Sequence, residues 1–304
     1  MSDVPLLRLE GVTKDFYGAT VLSGIDFSLN QGEILGLVGE NGAGKTTMMH
    51  ILFGMSDIIN TGGFGGSIFI EGRPIVFKSP FEALDEGIGM VHQEFSLIPG
   101  FTACENIMLN REPTRYNAAV ELFGERLATL KLHQMHEHSE KTIAKLGVNI
   151  VPDTMVMEMP VAHKQFTEIA REISRDQVKL LVLDEPTAVL TETEADILLE
   201  SLKRLSDEGI GIIFISHRLH EVTKICHRVL VLRDGQLIRD TPNKNLSVQD
   251  ITTWMVGREI SGRPANSAVR RPVGNLAAYH PGGNILNRYI LVRRVPDQLA
   301  VPKH

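Results

Sequence analysis

The sequence predicts an α/β fold: a parallel β-sheet covered by helices, a β-rich segment ahead of it, and a helical insert within it. Three observations predict it. Residues 179–240 alternate apolar strand-like runs with periodic helix-like runs, the order that a parallel sheet with crossover helices requires. Residues 5–80 read as strands and turns, with Gly and Asn as punctuation. Residues 113–178 change to helical periodicity.

Taken in order, "LLRLEGVTKDF" (6–16), "TVLSGIDFSL" (20–29) and "SIFIEGRPIVF" (67–77) are β-rich. Between them "GEILGLVG" (32–39) is a short apolar run of buried-strand type. A glycine-rich turn and "KTTMMHILFG" (45–54) follow, making a strand–loop–helix unit. "AAVELFGERLATLKL" (118–132), "HSEKTIAKLGV" (138–148) and "HKQFTEIAREIS" (163–174) carry helical periodicity and set the insert at about residues 100–178. The chain then runs strand "KLLVLDE", helix "ETEADILLESLKRLSDEG", strand "GIIFIS", helix "HRLHEVTKIC" and strand "RVLVLRDG". Thr191 and Glu194 have capping-box spacing, and Gly209 is placed to end the first of these helices. From Ser261 to His304 the composition turns rich in Pro, Gly and Asn, and basic but for Asp297. That stretch reads as a poorly ordered tail or linker, which leaves residues 1–260 as the folded domain.

The totals exclude several classes. A formal net charge of -6 over 304 residues offers no basic face for nucleic acid. No run of about 18 apolar residues is present, so nothing in the sequence spans a membrane alone. No basic region followed by an apolar run opens the sequence, so no signal peptide is expected. Cys104 and Cys226 lie far apart, match no metal spacing, and read as plain thiols of a reducing compartment.

"GENGAGKT", Gly39 to Thr46, fits G-x-x-x-x-G-K-[ST] in full. Each part has a physical reason. Glycines at 39, 42 and 44 let successive backbone N–H groups face one anion. The helix that follows adds the positive end of its dipole. Lys45 is placed to reach β- and γ-phosphates, and the Thr46 hydroxyl to bind Mg²⁺. Asn41, Ala43 and Thr47 complete the loop that would hold the nucleotide. In "LLVLDEP" an apolar strand delivers Asp184 to the phosphate end of the sheet, where it would hold Mg²⁺ through water. Glu185 follows, a carboxylate able to polarise an attacking water. Gln93 in "VHQEF" and His217 in "FISHRL" each follow an apolar strand, and both can bond a water, a phosphate oxygen or a metal ligand. His92, His133, His136, His138, His220 and His227 are read as structural.

In order along the chain, "GENGAGKTT", "VHQEF", "LLVLDEP", "AVLT" and "ISH" resemble the motifs of the ATP-binding cassette ATPases: P-loop, Q-loop, Walker B, D-loop and H-switch. The resemblance covers roughly residues 5–260. "VGENGAGKTTMM", "DEPTAVLTETEADIL" and "ISHRLHEV" look closest to the ATPases of bacterial importers of the ribose, galactose and xylose type. It implies a P-loop NTPase core with an N-terminal antiparallel β subdomain and an inserted helical subdomain. It implies ATP and Mg²⁺ as ligands, and Glu185, His217 and Gln93 as the groups around hydrolysis. Phe16 falls where the family stacks an aromatic on adenine, with Tyr17 as the alternative. The implied partners are a second cassette, homo- or heterodimeric, a pair of permease subunits, and indirectly a solute-binding protein. The implied place is the cytoplasmic face of the membrane.

One stretch departs from the family. Where its signature reads L-S-G-G-Q, this chain has Met159, Pro160, Val161, Ala162 and His163. The serine hydroxyl is absent, Pro160 has no N–H, and Ala162 adds a methyl group where the family has glycine. Lys164 could restore charge but not geometry. The backbone N–H groups of 161–163 could still do the work. Because the family's signature serves the partner's P-loop, the weakness would fall in trans. No second P-loop follows Arg263, so a half-length relative, a truncated product and a changed reading frame stay open. So does a weakly hydrolysing regulatory cassette.

Overall fold

The computed structural model describes residues 4–115, 129–175 and 177–257. All of them fall in the unit Met1–Ile260, and the tail expected from Ser261 onward lies outside the described residues.

Strands β1 (Leu7–Phe16) and β2 (Ala19–Leu29) pair antiparallel across Tyr17–Gly18. Both turn residues have positive φ, 50° and 91°, the geometry that matches the twist of a hairpin. β3 (Ile34–Val38) leads through the glycine-rich loop into α1 (Lys45–Leu52), and α2 (Ser56–Asn60) follows. β4 (Gly65–Ile70) returns to pair with β1, and β5 (Arg73–Ile75) doubles back on β4. Next come α3 (Pro80–Asp85), β6 (Ile88–Val91) and α4 (Ala103–Met108). The two-residue strands β7 (Thr114–Arg115) and β8 (Thr129–Leu130) pair antiparallel. The insert continues with α5 (Leu132–Lys145) and α6 (Val161–Ile173). The chain then runs β9 (Leu180–Asp184), α7 (Glu192–Asp207), β10 (Gly211–Ile215) and α8 (Leu219–Ile225). It closes with β11 (Arg228–Arg233), β12 (Gln236–Pro242) and α9 (Val248–Val256).

The main sheet has the order β12-β11-β3-β10-β9-β6, parallel except for β12; a second sheet has the order β2-β1-β4-β5 and is antiparallel throughout. The parallel strands are apolar at nearly every position because both faces are covered. In β3, Ile34 and Val38 join one core with the insert and α7, while Leu35 and Leu37 join another with α1 and the antiparallel sheet. Gly36 is required by close packing: a Cβ there would stand 2.7 Å from Val222 Cγ1 and 2.9 Å from Cys226 Sγ. The parallel register puts the C-terminal ends of β3, β6, β9 and β10 on one edge, the place where open α/β sheets bind ligands.

Thr191 and Glu194 form the expected capping box, and Gly209 follows the helix end at φ 98°. Cys104 and Cys226 are both free and buried. The helix expected over residues 118–132 lies largely outside the described residues, and its described end differs. Thr129 and Leu130 lie in β8, where the ladder with Thr114–Arg115 takes their backbone groups, and Leu132 opens α5. α5 also starts ahead of the expected His138. Its buried positions are Met135, Ser139, Thr142 and Ile143, so two polar residues on the inner face conceal the period.

Candidate nucleotide site

The glycine-rich loop leaves β3 at the sheet edge, and its glycines are sterically fixed. A Cβ at Gly39 would run into the Leu232 carbonyl oxygen; one at Gly44, φ 103°, would stand 2.6 Å from Leu22 Cδ2. Gly44 is the N-cap of α1, whose first turn has neither a side-chain cap nor an acidic residue. The positive end of that helix therefore faces the cleft with no acidic residue in its own first turn. Lys45 Nζ folds back to donate to the carbonyls of Gly39 at 2.7 Å and Glu40 at 3.0 Å.

A cleft of about 590 Å³ opens here. The loop lines it with Asn41, Gly42, Gly44, Lys45, Thr46 and Thr47. Gln93, Asp184 and Glu185 line it too, brought in by the ends of β6 and β9, as does Val21 of β2, which the sequence reading missed. Gly39 and Ala43 shape the loop from behind, and Ala43 is buried. Phe16 does not line this cleft: it is partly buried against the neighbouring core, with the Lys14 ammonium 4.6 Å from its ring centre. Tyr17 is 96% exposed at the hairpin tip.

The cleft's charges influence one another. Burial holds the Lys45 ammonium below its ordinary pKa, while Glu185 and Asp184 pull it back up. Burial raises the Asp184 carboxyl and Glu185 raises it further, against Lys45 and His50. Glu185 stands in the left-handed region at φ 51°, a conformation that costs a non-glycine residue about 1–3 kcal/mol. Its N–H donates to Ile215 O at 2.9 Å, which ties it to the end of β10. His217 does not line the cleft but meets Glu185 directly, Nδ1 to Oε2 at 2.6 Å. A carboxylate only accepts, so Nδ1 carries the proton and Nε2 is left to accept from a water.

Among the described residues no cluster of three or more His, Cys, Asp or Glu is able to hold a metal alone. Thr46, Gln93 and Asp184 offer one hydroxyl, one amide and one carboxylate around a shared space. That set fits Mg²⁺, which takes one or two carboxylates and completes its shell with water and phosphate oxygens.

The stretch Met159–His163 opens α6, with Pro160 as N-cap and no side-chain cap. The first bond of the helix runs from Lys164 N–H to Pro160 O at 3.2 Å. Met159 and Ala162 are buried in the insert's core, whereas the Val161 side chain is exposed. The Ala162 methyl thus packs inward against that core. The missing group is the cap. None of these residues lines the cleft of their own chain. α6 also grips the Q-loop in a way not visible in the sequence: Ser96 N–H donates to Glu168 Oε1 at 2.9 Å, and Arg171 NH1 donates to Ser96 O at 2.9 Å. Of the histidines read as structural, His227 Nδ1 accepts from Ile34 N–H at 2.9 Å and His92 packs edge-on against Phe53.

The model of the ABC transporter family matches residues 22–188. Among curated proteins, the ribose import ATP-binding protein RbsA of Hahella chejuensis is 43% identical over 256 residues, 84% of this chain and 48% of that protein. The glucose import ATP-binding protein TsgD13 of Haloferax volcanii is 41% identical, over 86% of this chain and 49% of that one. The xylose import ATP-binding protein XylG of Photobacterium profundum is 41% identical, over 84% and 48%. The chain spans about half the length of these relatives. A solved ATP-binding cassette of an ABC transporter in its ADP conformation superposes with a TM-score of 0.68 at 24% identity, over 84% of this chain and 99% of that one. A dimeric bacterial cassette gives 0.62 at 21%, over 78% and 99%. At those identities the likeness is one of fold.

Proposed function

The chain belongs to the ABC transporter family, and on that premise we propose that it binds and hydrolyses ATP to power import of a solute, a sugar by the likeness of its relatives. One observation carries this reading: Lys45, Asp184 and Glu185, distant or adjacent in sequence, converge on the cleft of the glycine-rich loop. Lys45 would exchange its two carbonyl partners for β- and γ-phosphate oxygens. The first turn of α1 and the loop N–H groups would hold the rest of the phosphate chain. Thr46, Gln93 and Asp184 would hold Mg²⁺, which neutralises phosphate charge when bound. Glu185, with Oε2 engaged by His217, would take the proton of the attacking water on Oε1.

Nothing from α6 lines the cleft, so the far side of the nucleotide is left to a second cassette. Two such cassettes would close over two nucleotides and reopen after hydrolysis. The remaining partners would be permease subunits in the membrane and, indirectly, a solute-binding protein, with this chain on the cytoplasmic face. No helix among the described residues is long and apolar enough to cross a membrane, so the membrane part would come from those partners.

The bare end of α6 favours a second reading, a cassette that binds ATP but hydrolyses it weakly. Titration calorimetry and steady-state turnover separate the two. Lys45→Ala should lose ATP binding, and Glu185→Gln should keep binding but lose turnover. Unchanged affinity in Lys45→Ala would sink the nucleotide assignment. Tight binding without turnover, alone or with a permease, would favour the second reading.

A further inference from the structure

The segments carrying Glu185 and His217 are joined twice. The first junction is the contact between those two side chains. The second lies beneath it and is built on Glu221, in the first turn of α8 and 2% exposed. Glu221 Oε2 accepts from Thr187 Oγ1 at 2.6 Å and from Ser216 Oγ at 3.3 Å. Arg218 NH1 donates to Glu221 Oε1 at 3.4 Å. Arg218 N–H donates to Ser216 Oγ at 3.0 Å, and its NH2 reaches Ala188 O at 3.4 Å. Thr187 and Ala188 belong to the loop that Glu185 opens, and Ser216 and Arg218 flank His217. One buried carboxylate thus holds both loops at residues close to the Glu185–His217 pair.

Packing alone does not explain an acid there. Taking a carboxylate out of water is costly unless it is fully bonded, and an apolar side chain of similar volume would fill the space more favourably. Glu185 also sits in a conformation that relaxes unless its surroundings hold it. We propose that Glu221 is a positioning residue for hydrolysis: it locks the loop after β9 to the loop after β10, and so fixes the Glu185–His217 pair over the phosphate site. The kinetic part of this proposal rests on reading the chain as an ATPase; the geometric part does not.

The test uses the full chain and two readouts. Imidazole ¹⁵N resonances of His217 report its contact with Glu185 without any turnover. Glu221→Ala should move them toward the positions seen in Glu185→Ala, and Glu221→Gln, which keeps an accepting oxygen, should move them less. Turnover in Glu221→Ala should fall on the order of 10-fold to 10²-fold, as for a catalytic group displaced by about an ångström. ATP affinity should be kept. In a His217→Ala background the same substitution should cost little more. Should Glu221→Ala fail to fold, Thr187→Val removes a single spoke and should shift the His217 resonances the same way. Unmoved resonances in a folded variant, or a turnover loss that adds in full to that of His217→Ala, would overturn the proposal. If the unmodified chain turns over no ATP, the ATPase reading fails, and the resonances still decide the role of Glu221.

Discussion

Asp184 and Glu185 are neighbours in sequence but stand in different environments. Asp184 ends a strand in the cleft, where burial and its neighbour both raise its pKa. A carboxyl whose folded pKa is raised favours the fold when protonated. That contribution is fully present below the unfolded value of about 3.9 and is lost as pH rises through the raised one. Ionising Asp184 therefore gives up stability of the fold. Asp184→Asn should raise the nucleotide-free melting temperature at pH 7–8, with the gap closing toward about pH 4. It should also abolish the Mg²⁺-dependence of nucleotide binding. Thermal melts across that range check the first statement, and a melting temperature that is unchanged or lower at pH 8 refutes it. The Asp-Glu pair and the glycine-rich loop are legible in sequence because their geometry is local: a strand end, a turn only glycine can make, a helix start. Phe16, Ala162 and Glu221 are not, because packing between distant segments decides where each side chain points. The positive φ of Glu185 is hidden for the same reason, since its N–H is held by Ile215 from another strand.

The insert helices show where element-level reading succeeds and where it stops. α6 was legible because its inner face carries Phe166, Ile169 and Ile173 at helical spacing. α5 was half legible because Ser139 and Thr142 occupy inward positions. The end of α6 is a different matter, since its chemistry is set by a single residue. Pro160 at the N-cap has extended backbone, φ -55° and ψ 153°, which serine adopts without strain. Pro160→Ser should supply the missing cap, adding about 1 kcal/mol. In a domain of this size that raises the melting temperature by about 2–4 °C. Ala162→Gly should do the opposite, because it deletes a buried methyl group worth about 0.8 kcal/mol and adds a poor helix former. Calorimetry on the two single variants separates these effects. A stabilising Ala162→Gly would mean that the methyl is not packed as described.

The whole molecule presents half of a site. Its cleft is lined by the glycine-rich loop, Asp184 and Glu185, while no residue of the α6 end lines it. If two cassettes close face to face, each nucleotide receives its loop from one chain and its α6 end from the other. A trans experiment then discriminates. One chain carries Lys45→Ala together with Pro160→Ser, so it offers no working loop but a capped α6. It is mixed with unmodified chain, and the mixture is compared with one in which the first chain carries Lys45→Ala alone. In each mixed dimer the only working loop is the unmodified chain's, and the α6 end facing it is the variant's. Turnover should be higher in the first mixture. The gain approaches 10²-fold if the serine hydroxyl supplies one aimed donor, by the size of the loss when such a donor is removed, roughly 10²–10³. The same Pro160→Ser placed on the chain with the intact loop, and mixed with Lys45→Ala, should leave the mixed dimer's turnover unchanged. A gain in that arrangement instead would place α6 at its own cleft. Equal rates in all mixtures would mean that the backbone N–H groups of residues 161–163 already hold the phosphate.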